Sequence, residues 1–600
     1  MGKGGEAEIY EAGPGLVAKI YKGPDHPDFT TPQEKASAAD KIAEQEQKLK
    51  NFPAGIPSGV IAPVQLLFSP KVKKFLGFTM AKVDGAELLI RYGKRQFREG
   101  VVSNQDATQI LLSLYDQTLG LHNRQVVIAD SNDLNVMVKG LSTFIIDADS
   151  FQYGKWVSPM YTERFLDPLQ TDGRSMIMVK PHTPETDWYA YLIMLMQTLL
   201  YVGPYGGIHR PTVASKKLSQ SERPLKRVTV FSPEVVYPAP ATPLKVLPDT
   251  LLQFLEDVFV RDIRKLPSRD LLRLSWKKCA CGQEHARNIC PICAYHTPGI
   301  VTTTVRGKVT AQNIIRTSGP ILFATTDFGR LQYLYHNGSS LVREPILGLF
   351  EERVVAAHTL SPNEKFRILR GDTLVAKGNT LKVLGKEVLP VDTFDNTPVY
   401  DVSSAGLFTI SNGIIYQYGG MEPRRIGNVI PKRTMSWVGP RFGFGFYQVA
   451  TSNDSFVFDV KGGPLKNFLN VPLPKGQLVD STCFFVGDDA WFIFSTMENS
   501  KLMNRCILLN SKGEVLATAE GEDGDGSWLG TLRAKTAIPG SLLAVADDGL
   551  VRVQRDADKL VVAAEFPDTE PFVDNHARLL ASSAGIYVVS RKQITLLSIK

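Results

Sequence analysis

The stretch Val126-Val127-Ile128-Ala129-Asp130-Ser131-Asn132-Asp133-Leu134-Asn135-Val136-Met137-Val138, followed after a turn by Phe144-Ile145-Ile146-Asp147-Ala148-Asp149, decides how the first half of the chain is read. Short runs of β-branched and aromatic residues bounded by turn formers are the pattern of buried strands. Asp130 and Asn135 stand five apart on the loop between such runs, and Asp147 follows twelve residues later at the end of another. Strand ends of this kind deliver polar groups to one edge of a sheet.

Toward the start, Gly2-Lys3-Gly4-Gly5-Glu6-Ala7-Glu8-Ile9-Tyr10 has the spacing G-x-G-x-x-G-x-V of a phosphate-covering loop, with Ala7 at the third glycine position. Gly2, Gly4 and Gly5 would let backbone N–H groups approach an anion with no Cβ in the way. Val17-Ala18-Lys19 then places a cation at the end of an apolar run. Pro32 to Lys50 reads as a helix, with Thr31 as N-cap, Pro32 at its first position and Ala38, Ile42 and Leu49 on one face. A strand pair over Val60–Phe68 and Phe75–Val83 and a helix from Gln105 to His122, capped by Ser103 or Asn104, complete a two-lobed α+β pattern over residues 1–270.

Composition excludes several classes. With 600 residues, 43% hydrophobic and 22% charged, the chain reads as a folded multidomain protein rather than a disordered or fibrous one. Lys and Arg number 68 against 61 Asp and Glu, and a net charge of +7 over this length is too dilute to imply nucleic acid. The longest apolar stretch, Tyr189 to Val202, falls short of the ~20 residues a bilayer needs, and the first residues have no signal-like apolar region. A cytoplasmic location without a membrane is the expectation.

Four of the six cysteines crowd together. Cys279-Ala280-Cys281 and Cys290-Pro291-Ile292-Cys293 can each present two thiolates from a tight turn, the four tetrahedral donors that a structural Zn²⁺ prefers. Residues 271–298 therefore read as a zinc ribbon, with His285 and His296 outside the ligand set. Cys483 and Cys506 lie in strand-like apolar runs and read as core fillers.

From 300 to 600 the chain reads as short strands between turns. Apolar markers recur near Ile321, Phe366, Leu407, Phe444, Trp491, Leu542 and Ile586, at the roughly 40-to-50-residue period of four-stranded propeller blades. Seven such units would close a ring. A pair of β-sandwiches is the competing architecture, and no WD dipeptide signature is present.

The D-x-x-x-x-N loop at Asp130 and Asn135, with Asp147 in the position of D-F-G, resembles the protein kinases over residues 1 to about 270. The resemblance implies ATP and Mg²⁺, with Asp130 as catalytic base, Asn135 and Asp147 as Mg²⁺ ligands, Lys19 as phosphate anchor and Gly2, Gly4 and Gly5 over the nucleotide. It calls for a helix glutamate paired with Lys19, for which Glu34 is preferred over Glu44 and Glu46. Thr186-Asp187-Trp188 resembles the D-x-W start of a large-lobe helix, in which the aspartate holds the catalytic loop. Tyr161–Pro168 and Gly203–His209 resemble a bacterial kinase group with zinc-ribbon appendages, which implies a von Willebrand A-type protein and a metal-dependent phosphatase as partners.

Three departures stand out. Ala129 replaces the Arg of H-R-D, Asn132 replaces a lysine near the γ-phosphate, and Asp149 replaces the glycine of D-F-G. The expected function is a Mg-ATP-dependent Ser/Thr-type kinase of low turnover acting on a protein substrate, its propeller recruiting substrate or partner. A pseudokinase scaffold and a small-molecule phosphotransferase are the alternatives.

Overall fold

Apolar burial gathers into separate cores on either side of residues 292–302. In a computed structural model of the chain, every residue is described except 1, 4–6, 27–28, 30, 72, 214–215, 239, 280–282, 292–302, 328, 346–351, 421, 450–451, 475 and 600, and the side chains of 2, 3, 34, 449, 452 and 453.

The chain opens with a five-stranded antiparallel sheet ordered Gly2–Lys3, Ala7–Glu11, Leu16–Tyr21, Phe75–Ala81, Pro63–Phe68. The helix Pro32–Lys50 packs on it, burying Ile42 and Leu49 against Ala7, Tyr21, Phe75 and Phe78. A Cβ at Gly77 would lie 1.9 Å from the Lys19 carbonyl oxygen, so only glycine lets those two strands approach there.

A helical body follows. Ser103 caps the helix Asn104–His122 through a capping box with Asp106. The helix Pro184–Leu200 is buried around nearly its whole circumference, which is why the sequence shows an unbroken apolar run there. It packs in one core with the helix Asp249–Phe259 and with the hairpin Val136–Lys139 and Ser142–Ile145. The bonds Ile61 N–H to Ile145 O (2.8 Å) and Ile145 N–H to Gly59 O (2.8 Å) tie this hairpin to the segment entering the first sheet. Among the described residues, no helix is long and apolar enough to cross a membrane.

Among the described residues from 303 onward the chain is mainly β, in seven successive antiparallel units, with a short pair Thr393–Phe394 and Thr397–Pro398 between the second and third. Their first strands are Ile321–Asp327, Lys365–Leu369, Tyr400–Ser403, Thr434–Val438, Gln477–Val486, Lys535–Ile538 and Arg578–Ser582. Each touches the next, and the seventh touches the first, so the seven follow one another in a closed cycle. The fourth unit has three strands, and the seventh has five because Thr303–Arg306 and Val309–Arg316 join it beside Gln593–Ile599. The fifth and sixth units join through a parallel pairing of Thr518 with Lys559 into one eight-stranded, nearly closed sheet. Phe408, Phe444, Phe446, Phe456, Phe458, Phe492 and Phe494 fill one of the cores between units. Cys506 is fully buried and Cys483 half-buried, and burial pushes both thiols up, consistent with core packing.

Polar contacts link the two halves. Lys94 pairs with Asp480 at 2.7 Å, Glu87 accepts from Asn396 at 3.0 Å and from Asn363, and Glu99 pairs with Arg591. The N–H of Glu163 donates to Ser500 O at 2.8 Å while its carboxylate meets Lys501 at 3.2 Å.

Candidate functional site

Strand alternation places Lys19 and Tyr21 on one face of Leu16–Tyr21. Across from them, the chain leaves Ser142–Ile145, turns through a left-handed conformation at Asp147 (φ 63°) and enters a short 3₁₀ turn, Ala148–Ser150. This turn aims two carboxylates back at Lys19. The ammonium pairs with Asp147 Oδ1 and with both oxygens of Asp149, at 2.7 and 2.8 Å. Burial works against the lysine's charge, but the two carboxylates overcome it and raise its pKa above the ordinary value. Tyr21 donates its hydroxyl to Asp149 Oδ2 at 2.6 Å.

The loop carrying Asp130 is held from below by Asp187, which is fully buried. Its carboxylate accepts the N–H groups of Ile128 (2.7 Å) and Ala129 (3.0 Å) and bonds His122 Nε2 at 2.8 Å. Ala129 is left-handed (φ 70°), a conformation that costs a non-glycine residue about 1 kcal/mol. Two charge-assisted bonds offset that cost, which explains why an aspartate stands at the start of the buried helix.

Asp130 Oδ1 accepts from the Thr162 hydroxyl at 2.8 Å. Asn135 Nδ2 donates to the Asp130 carbonyl at 3.0 Å and more weakly to Oδ2 at 3.4 Å. Asn132 turns inward, donating to the same carbonyl (3.0 Å) and accepting from Leu134 N–H at 2.9 Å. It thus shapes the loop through its amide and adds no cation. Burial pushes the Asp130 carboxyl up to about 6, the Thr162 bond opposes this, and the charge of Asp147 adds to it. A carboxylate with this affinity for protons is suited to general-base work near neutrality.

The structure therefore gathers Lys19 with Asp147 and Asp130 with Asn135, close enough for Asp147 to act on Asp130. Gly2 sits on the edge strand, paired with Ile9. Gly4, Gly5 and the Glu34 side chain lie outside the described residues. Among the described residues the partners of Lys19 are Asp147 and Asp149, and the preferred helix glutamate, Glu34, is not among those whose side chains are described. Of the rivals, Glu44 is exposed and Glu46 pairs with Lys50 at 2.6 Å.

Sequence reasoning missed four groups. Lys48 donates to the Asp149 carbonyl at 2.7 Å and Gln45 to the same oxygen at 3.4 Å. Both lie on the buried face with Ile42 and Leu49, so helical spacing could have found them. Thr162 and the partner role of Asp149 carry no local signal.

In the cysteine region, Lys277–Lys278 pairs with Glu284–His285 and Cys279 N–H closes on Gln283 O at 2.9 Å. Cys279 is half-buried and Cys290 buried, while Cys281 and Cys293 lie outside the described residues, as does His296. Among the described residues no group of three metal-binding side chains occurs.

No family model and no curated protein matches this chain.

Proposed function

We propose that residues 1–270 bind Mg-ATP and transfer its γ-phosphate to a protein hydroxyl, in the manner of the protein kinases they resemble. The observation that carries this reading is the convergence of Lys19 with Asp130, Asn135 and Asp147, drawn from two distant stretches of chain, around a carboxyl group poised near neutrality. Lys19 would meet the phosphates as a cation. Asp130 would accept the proton of the attacking hydroxyl, with Thr162 orienting its carboxylate. Asp147 and the free oxygen side of the Asn135 amide offer the hard oxygen donors that Mg²⁺ takes, and the metal would supply charge neutralisation at the triphosphate.

Purified full-length protein with Mg²⁺ and labelled ATP is expected to transfer phosphate to itself or to a generic protein substrate. Asp130→Asn should lower that transfer by about 10³-fold while Mg-ATP binding persists. Equal transfer by the variant rejects Asp130 as the base.

The cycle of seven β units supports a seven-bladed propeller over residues 300–600, a recruiting surface for substrate or partner. The four cysteines of 271–298 are proposed to hold one Zn²⁺; the bond from Cys279 N–H to Gln283 O brings the chain on either side of Cys281 together, which suits paired thiolates. Metal analysis of protein purified without chelators is expected to give about one zinc per chain, and a chain without zinc removes the ribbon reading. A cytoplasmic protein engaging a von Willebrand A-type partner and a phosphatase completes the proposal. The pairing of Lys19 with two carboxylates favours the scaffold as the second reading, which the same transfer assay separates.

A further inference from the structure

The nucleotide reading assigns Lys19 to the phosphates, which raises the question of what keeps its ammonium in place. We infer that Asp149 is the residue that positions Lys19, in the place where the kinase resemblance puts a helix glutamate; this rests on the nucleotide-binding reading above.

Three observations carry the inference. Asp149 engages Lys19 with both carboxylate oxygens, at 2.7 and 2.8 Å, and Asp147 adds a third contact to the same ammonium. Asp149 is also held from several directions: its Oδ2 accepts the Tyr21 hydroxyl, and its carbonyl accepts Lys48 and Gln45 from the helix Pro32–Lys50. The Tyr153 hydroxyl in turn donates to the Lys48 carbonyl at 2.8 Å. Finally, the two carboxylates differ in access. The side chain of Asp147 is 36% exposed and that of Asp149 only 5%, so Asp147 is the one open to a metal ion and Asp149 the one that stays with the lysine.

The helix therefore acts on the site through a cation. Lys48 fixes the main chain of Asp149, and the carboxylate is left to Lys19. Where a helix glutamate makes the pair, displacing the helix breaks it; here strand and turn make the pair between themselves. The glycine position of D-F-G becomes the source of the anchoring charge.

Two measurements on the full-length chain test this: Mg-ATP affinity by calorimetry, and labelling of Lys19 by an amine-reactive reagent read by mass spectrometry without nucleotide. Asp149→Asn is expected to weaken Mg-ATP binding about tenfold and to increase Lys19 labelling, because the lysine loses a partner that favours its charged form. Asp149→Glu should restore part of the affinity, and Glu34→Gln should leave both measurements at the wild-type value. Tyr21→Phe loosens Asp149 without removing its charge, so a smaller weakening of the same kind keeps the series readable should Asp149→Asn unfold. Wild-type affinity and labelling in Asp149→Asn, or a loss in Glu34→Gln equal to that of Asp149→Asn, overturns the role of Asp149 alone. A wild-type chain that binds no Mg-ATP overturns the nucleotide reading and the positioning role with it, whatever the labelling shows.

Discussion

Both halves of the molecule bury an ion pair, and the two pairs are built differently. In the first half Lys19 meets Asp149 across 130 residues of sequence. In the second, Arg343 meets its immediate neighbour Glu344, at 2.9 and 2.6 Å, and reaches across to Thr373 at 2.9 Å in the next unit. A pair between neighbours comes with its strand and stitches adjacent units together. A pair between distant residues exists only after the fold has brought them together, and here it is joined by Asp147, Tyr21 and Lys48 around one point. Here the pair gathered from afar lies at the proposed site, whereas the local pair holds neighbouring β units together.

That contrast can be broken by experiment. The largest effect is expected at Asp130→Asn, which should abolish nearly all phosphate transfer and leave the unfolding midpoint close to wild type. If the midpoint falls as far as the activity, the site is structural after all. Next, Arg343→Met leaves Glu344 buried and uncompensated, a loss of about 3–5 kcal/mol in urea unfolding, and pairing it with an apolar residue at 344 should recover most of it. The equivalent double replacement of Lys19 and Asp149 should recover no Mg-ATP binding; recovery there would erase the distinction. A smaller effect concerns pH. Asp130 must be ionised to accept a proton and its carboxyl is pushed up to about 6, so the transfer rate should fall roughly tenfold per unit below that pH. A rate that stays flat down to pH 5 excludes Asp130 as the titrating group. Smallest of all, Lys94→Ala removes a partly exposed bridge to Asp480 and should cost under about 1 kcal/mol. A larger loss would mean that the two halves depend on each other more than their separate cores imply.

The sequence was most legible where structure is local. The helix at Pro32–Lys50 follows its periodicity, and the helix ending at His122 follows its Ser103 cap. Each of the seven apolar markers falls in a different β unit, since every unit repeats the same hairpin chemistry. The strand expected from Val60 begins instead at Pro63, because Val60 turns back on Pro57 and Ile61 bonds to Ile145. Asp130, Asn135, Asp147 and Lys19 were readable because their spacing along the chain is itself a pattern. The partner of Lys19 was not: Asp149 reads as one more polar residue in a loop, and its role depends on a strand 130 residues away. The pairing of Val309–Arg316 with Gln593–Ile599 was equally silent, because no local rule connects strands so far apart.

That last pairing has a consequence for how the molecule is made. Gln593–Ile599 is synthesised after the other described strands, yet it lies between Val309–Arg316 and the hairpin partner that precedes it. Until it leaves the ribosome, six earlier units wait with an unsatisfied edge, and contacts of such long range close slowly. The lysine-bearing half, whose strands and helices are complete far earlier, can fold while its companion is still being translated. For that interval the first half stands beside a set of β units whose cycle is still open.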